Sequence, residues 1–164
     1  METLVNKKQR LYLGFKIGNE TFAVHVENVI EVIRNNGLIS IPKSAEYISG
    51  VIHFRGDILS VVSTSKKLSI TQKTDFPDRF IIVIEFLALE KISRLGILSD
   101  KVIGVLSIHE NDIKPVMEFG NYYNPEFLEG AFRYKDEIIT ILNIENVFTH
   151  DEISIINEET KKAN

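Results

Sequence analysis

The chain contains the stretch Tyr47-Ile48-Ser49-Gly50-Val51-Ile52-His53-Phe54-Arg55-Gly56-Asp57-Ile58-Leu59-Ser60-Val61-Val62. Two apolar runs flank the tight turn Arg55-Gly56-Asp57, in which Gly56 supplies the positive φ that a short hairpin loop needs. β-Branched and aromatic residues fill both runs, and these residue types suit a pleated, half-buried surface. The stretch therefore predicts a β-hairpin.

The same layout recurs at 127–142, where two apolar runs again flank a polar turn. An earlier pair of blocks, 22–24 and 29–32, is matched in the same order by 95–97 and 102–105. We interpret these matches as an internal duplication that predicts two small barrels of similar topology, since barrel closure removes exposed sheet edges. Chance similarity between short β segments is the alternative.

Alternating apolar residues predict further strands, at 11–17, 21–24, 94–98 and 138–142. The run Phe80–Phe86 is almost continuously apolar, which is typical of a strand buried on both faces. The sequence therefore predicts a mainly β fold.

A capping box predicts a C-terminal helix. Thr149 has the character of an N-cap, and Glu152 lies three residues later. We expect the helix to end near Glu159 and the tail 160–164 to fray. A polar stretch at 68–76 is the predicted internal linker.

Composition excludes several classes of protein. The 164 residues carry a net charge of −4, which argues against nucleic acid as the main partner. Cysteine is absent, which excludes disulfides, thiol catalysis and Cys-ligated zinc. Neither a membrane-spanning apolar run nor a signal peptide is evident, so we expect a cytoplasmic protein without direct membrane insertion.

Residues that carry chemistry are sparse. The four histidines lack metal-ligand spacing, and neither a phosphate-binding glycine loop nor a nucleophile elbow occurs. The sequence predicts no catalytic site, metal site or cofactor, and the protein is expected not to be an enzyme. A small-ligand-binding β-barrel is the remote alternative, and a deep pocket lined by perturbed titratable groups would favour it.

Two features permit two interpretations each. Apolar residues lie in loops, at Leu38, Ile39 and Ile41 and again around Val116 and Met117. They either fill the core or form a surface that recognises another protein. Arg55 is either a solvated turn cation or a polar anchor for a partner.

Blocks of this chain, in order and with their spacing, resemble those of CheW-type chemotaxis coupling proteins. The match runs from about Leu11 to Phe148. Its blocks are Phe22-Ala23-Val24, Val29-Ile30-Glu31-Val32, Ile39-Ser40-Ile41-Pro42, Gly50-Val51-Ile52-His53-Phe54-Arg55-Gly56, Leu95-Gly96-Ile97-Leu98-Ser99-Asp100-Lys101-Val102, Ile113-Lys114-Pro115, Glu118-Phe119 and Ile139-Thr140-Ile141-Leu142-Asn143-Ile144-Glu145.

The resemblance implies two five-stranded, SH3-like β-barrel subdomains packed side by side, with short helices and a C-terminal helix. A single domain would span 11–148, with one barrel half at about 11–75, the other at about 76–148, and strands possibly crossing between them. Residues 149–164 would form the helix and tail. It also implies a non-catalytic adaptor that couples chemoreceptors to the chemotaxis histidine kinase within signalling arrays, held there through its partners.

Those partners would be the regulatory domain of the kinase and the cytoplasmic tip of methyl-accepting chemoreceptors. Carried over by matched motif, the receptor-binding residues are Val29, Glu31, Gly50, Arg55, Phe80, Gly96 and Val105. The kinase-binding residues are Leu38, Ile41, Lys114 and Phe119.

This chain departs from the family pattern around the Arg55 hairpin. The family's Asn is His53 here, its Pro is Ser60, and its Asp-Leu is Ser63-Thr64. These departures leave open an adaptor that serves another receptor–kinase system, such as one for motility or development.

Overall fold

A computed structural model describes residues 8–70, 77–119 and 123–163. In these ranges the strands are β1 (Gln9–Ile17), β2 (Glu20–His25), β3 (Val29–Arg34), β4 (Ile48–Phe54), β5 (Asp57–Val62), β6 (Phe80–Ala88), β7 (Lys91–Ser99), β8 (Lys101–His109), β9 (Leu128–Tyr134) and β10 (Glu137–Leu142). The helices are α1 (Thr64–Lys67), α2 (Ile144–Val147) and α3 (His150–Ala163). None of these helices has both the length and the apolar character needed to cross a membrane.

The strands form two five-stranded sheets with equivalent layouts. One has the order β8-β1-β2-β10-β9, and the other has the order β3-β6-β7-β5-β4. Each contains one parallel pair at the same position, β10 with β2 and β5 with β7. The predicted duplication is therefore visible in the strand order.

Each of the two sheets contains strands from both halves of the sequence. The sheet that contains β1 and β2 takes β8, β9 and β10 from the second half, and the other sheet joins β3, β4 and β5 to β6 and β7. The ranges 11–75 and 76–148 thus correspond to repeats and not to separate sheets. The chain passes from one sheet to the other after each repeat's first hairpin.

Each sheet is closed by the loop that follows its edge strand. After β3, Ile39 forms a bridge to Val51 of β4, with N–O distances of 2.9 and 2.8 Å. After β8, Lys114 forms the equivalent bridge to Ala131 of β9, at 2.8 and 2.9 Å. Because β3 and β4, like β8 and β9, lie at opposite edges of their sheets, these bridges draw each sheet into a barrel and occupy its edges. The predicted fold of two five-stranded barrels is confirmed.

Three apolar clusters stabilise this arrangement. One lies inside each sheet, and the largest draws residues from both sheets. The strand β6 contributes to two of them: Ile81 and Val83 lie within its own barrel, whereas Ile82 and Ile84 lie in the shared cluster. The prediction that this strand is buried on both faces is confirmed.

The capping box at the start of α3 is present. The Thr149 amide donates to Glu152 Oε1 at 2.9 Å, and the Glu152 amide donates to Thr149 Oγ1 at 3.1 Å. The predicted end near Glu159 is wrong, because the helix continues to Ala163. Contacts between Thr160 and β5 hold its last turns in place. Part of the predicted linker, 71–76, lies outside the described residues.

Candidate functional site

The turn between β4 and β5 presents Arg55. Its two central residues, Arg55 and Gly56, have φ values of 51° and 85°, the left-handed region that two-residue hairpin loops require. The guanidinium carbon lies 4.9 Å from the centre of the Phe54 ring, and Nη2 donates to Glu31 Oε1 at 2.8 Å. The turn thus directs an exposed cation towards β3 and keeps it next to a carboxylate.

Three other predicted receptor-binding residues lie on or near the surface. Val29 is half-buried at the start of β3, and Phe80 is half-buried at the start of β6, with the Arg34 guanidinium 5.6 Å from its ring centre. Val105 lies on β8 in the other sheet and is 62% exposed. Among the predicted receptor-binding residues, a side-chain hydrogen bond joins Glu31 and Arg55.

The remaining two, Gly50 and Gly96, are buried, and their part in receptor binding stays a prediction. A Cβ on Gly50 would collide with the Ile39 carbonyl oxygen, and one on Gly96 would lie 2.6 Å from Ile81 Cγ2. Gly50 thus permits the loop bridge that closes the barrel, and Gly96 permits close packing of β7. Both glycines thus allow close packing inside the barrel that carries the Arg55 hairpin.

The predicted kinase-binding residues lie in or near the loops that close the barrels. Leu38 and Ile41 are half-buried, and Lys114 is exposed. Phe119 ends a 3-10 helix, and its side chain lies outside the described part.

The same two loops carry two apolar residues that the sequence did not assign to kinase binding. Both side chains are exposed, Ile39 at 55% and Met117 at 80%. Leu38 packs on a barrel core, as the core-filling interpretation expects, whereas a recognition surface at the exposed loop residues stays a prediction.

A pocket of about 390 Å³ lies beside Arg55. Buried Phe54 and Leu59 line it from the hairpin, Arg94 lines it from β7, and Asn157 lines it from α3. Sequence reasoning missed Arg94 and Asn157, because no motif connects positions so far apart in the chain. The Nε of Arg94 donates to Glu85 Oε2 at 2.6 Å.

The departures from the family pattern have different structural roles. His53 is exposed on β4, and Ser63 caps α1 by accepting from the Lys66 amide at 3.3 Å. Ser60 is buried on β5, and its hydroxyl contacts the Thr160 hydroxyl and the Ile156 carbonyl of α3. Proline at this position would lack the hydroxyl, so Ser60 gives this chain a polar contact between β5 and its C-terminal helix.

Among the described residues, the titratable groups whose pKa is raised by burial do not converge on the pocket. Burial raises the pKa of Tyr12, Tyr47 and Asp78, and that of Tyr123 to about 12. None of these residues lines the pocket beside Arg55. Within the described ranges, no three His, Asp or Glu residues are placed to hold a metal ion.

Comparison with known proteins identifies the family. The model of the CheW-like domain matches residues 11–152. The chemotaxis protein CheW of Thermotoga maritima is 34% identical over 114 residues, which are 69% of this chain and 72% of that protein. Protein FrzA of Myxococcus xanthus is 28% identical over 139 residues, which are 84% of each chain.

A solved structure shares the fold. The scaffolding protein TtCheW from Thermoanaerobacter tengcongensis superposes with a TM-score of 0.72 at 25% identity, over 85% of this chain and 88% of that one. The family match spans both barrels, from β1 into the start of α3. This chain therefore belongs to the CheW-like domain family.

Proposed function

We propose that this protein is a non-catalytic adaptor that couples chemoreceptors to the chemotaxis histidine kinase within cytoplasmic signalling arrays. The observation that carries the proposal is the family match over residues 11–152, which includes every strand after the first residues of β1. The arrays would lie at the membrane through the receptors, and the adaptor would be held there by its partners.

The receptor-binding surface would centre on the Arg55 hairpin. An exposed guanidinium next to Glu31 offers a polar anchor, and the half-buried Val29 and Phe80 offer apolar contact on neighbouring strands. A receptor tip is a helical hairpin, and such a helix presents an apolar face with charged flanks to a groove.

The kinase-binding surfaces would be the two loops that close the barrels. One loop carries the half-buried Leu38 and Ile41 and the exposed Ile39, and the other carries Lys114, the exposed Met117 and Phe119. Because the loops occupy equivalent places in two barrels, the protein would offer a related contact at each end. Heterologous contacts of this kind can close into rings or extend as arrays.

Signalling through such an adaptor requires no chemistry of its own. The adaptor would favour one of two arrangements of the receptor and kinase, and a difference in contact energy between the arrangements is sufficient for control.

Binding measurements test the proposal. The purified protein should bind both the regulatory domain of the chemotaxis kinase and a soluble receptor tip from the same organism. Arg55→Glu should weaken receptor binding and leave thermal melting unchanged, because Arg55 is exposed and its ion pair with Glu31 is a surface pair. Arg133→Glu, an exposed arginine on β9, is the charge-matched control. The proposal would be refuted if the parent protein failed to bind the kinase domain or failed to bind the receptor tip.

A second candidate function is that of an adaptor for a different receptor–kinase system. The departures from the family pattern at His53, Ser60 and Ser63 favour it. Titration against every receptor tip and CheW-like kinase domain of the organism distinguishes the two candidate functions, since each function predicts that a different receptor and kinase bind most tightly.

A further inference from the structure

The pocket beside Arg55 is built from segments that are distant in the sequence. The β4–β5 hairpin supplies Arg55 and Asp57, β7 supplies Ile92 and Arg94, and α3 supplies Asn157. Phe54 and Leu59 give the pocket an apolar base, and they are 9% and 5% exposed. The pocket thus combines an apolar base with polar groups on three sides.

Its charge differs in sign from that of the whole chain. Two guanidinium groups and one carboxylate line the pocket, giving it a net positive lining in a protein of net charge −4. Guanidinium groups bind carboxylates through a planar fork of donors. The chemistry of the lining therefore fits an acidic side chain beside an apolar one.

The carboxylates that now pair with these arginines are weakly held. Arg55 and Glu31 are 62% and 43% exposed, and Arg94 and Glu85 are 54% and 35% exposed. Exposed ion pairs contribute little to stability, so an incoming carboxylate can replace Glu31 or Glu85 at small cost. The hydrogen bonds to Glu31 and Glu85 use Nη2 of Arg55 and Nε of Arg94, one nitrogen of each guanidinium group.

The C-terminal helix forms the third wall of the pocket, and its contacts with the body hold it in place. Ile153 and Ile156 are buried, and the Thr160 hydroxyl contacts that of Ser60 on β5. Asn157 lies between these anchoring positions, is exposed and lines the pocket, so the helix need not move to bring this residue to a ligand.

We infer that this pocket is a binding site for an acidic side chain on the receptor tip, in which Arg94 and Asn157 act together with Arg55. The inference rests on the proposed function and extends it, because it assigns two residues and the C-terminal helix to the receptor contact. The ligand is a carboxylate next to an apolar side chain on one face of a helix.

A titration of the full-length protein with a soluble receptor tip tests the inference. Arg94→Glu should weaken binding about tenfold, because it places like charge against the incoming carboxylate. Asn157→Ala should weaken it about threefold, the factor expected for one net hydrogen bond. Arg133→Glu should leave binding unchanged.

A receptor tip in which one acidic residue is changed to Lys should restore binding to Arg94→Glu. In a ¹H–¹⁵N spectrum, the Nε–H signal of Arg94 and the side-chain amide signals of Asn157 should shift when the tip is added.

The possible outcomes separate this inference from the proposed function. If the parent protein fails to bind the tip, both are wrong. If the parent binds but Arg94→Glu and Asn157→Ala bind equally well, the inference alone is overturned. It is also overturned if the variants weaken self-association or kinase binding and leave the receptor titration unchanged.

Discussion

The ammonium of Lys67 lies 2.6 and 2.8 Å from the two carboxylate oxygens of Glu152 and joins α1 to α3. It also lies 5.3 Å from the ring centre of Phe127 and 5.8 Å from that of Phe148. The same carboxylate accepts from the Thr149 amide, so one side chain both caps the C-terminal helix and attaches it to the body.

Glu152→Gln should lower the free energy of unfolding by about 2 kcal/mol, because a charge-assisted contact of low exposure is lost. Urea unfolding measures this change. Glu158→Gln, an exposed position on the same helix, should change stability by less than about 0.5 kcal/mol. Equal stability of the two variants would contradict the importance of the pair.

The contribution of Glu152 should depend on pH. Burial alone would raise its pKa, but the Lys67 ammonium and the Thr149 amide hold the pKa below the ordinary value of 4.5. A carboxyl group whose pKa is lower in the folded state stabilises the fold above its unfolded pKa, and this stabilisation is lost as the pH falls through the folded pKa. The stability difference between the parent and Glu152→Gln should therefore be full at pH 7 and shrink below about pH 4.5. A difference that grew on acidification would exclude this explanation.

Gly96→Ala should destabilise the protein by about 1–3 kcal/mol, since overpacking a filled core forces its neighbours to move. The added Cβ would meet Ile81 Cγ2 at 2.6 Å and Val61 Cγ2 at 3.2 Å. Gly37→Ala is the control, because nothing lies within 4 Å of the corresponding Cβ. Thermal unfolding compares the two. Parent-like stability combined with lost receptor binding would instead assign Gly96 to the contact surface.

Ser60→Ala should loosen the C-terminal helix while leaving the sheets intact. The substitution removes the hydroxyl that contacts Thr160 and the Ile156 carbonyl, and Ile153 and Ile156 remain buried. Hydrogen exchange should therefore quicken at α3 amides and stay unchanged in β6 and β7. Ser154→Ala, on the exposed side of α3, should alter neither. Unchanged α3 exchange in Ser60→Ala would show that the apolar contacts alone fix the helix.

Several of the features that the sequence predicted are encoded locally. The hairpin in 51–62, the Arg55-Gly56 turn and the Thr149–Glu152 capping box each depend on neighbouring residues, and each is present. The end of α3 was misjudged because Ser60 and Thr160 are far apart in sequence.

The exchange of strands between sheets depends on long-range pairing, which no local pattern specifies. The same limit explains the candidate site. Motif matching selected Arg55 and Glu31, which a hydrogen bond joins in the structure, and also Gly50 and Gly96, whose burial no motif indicates. Arg94 and Asn157 become neighbours of Arg55 only after β7 and α3 have packed beside the hairpin.

The reciprocal sharing of strands has a consequence for how such a molecule can arise. A polypeptide that consisted of one repeat, 9–62 or 80–142, would contain some strands of each sheet but all five strands of neither. Two copies would complete one another, as in a domain-swapped dimer. The present topology is equivalent to that of an intertwined dimer with its two subunits joined in one polypeptide, and such a tether makes assembly independent of concentration.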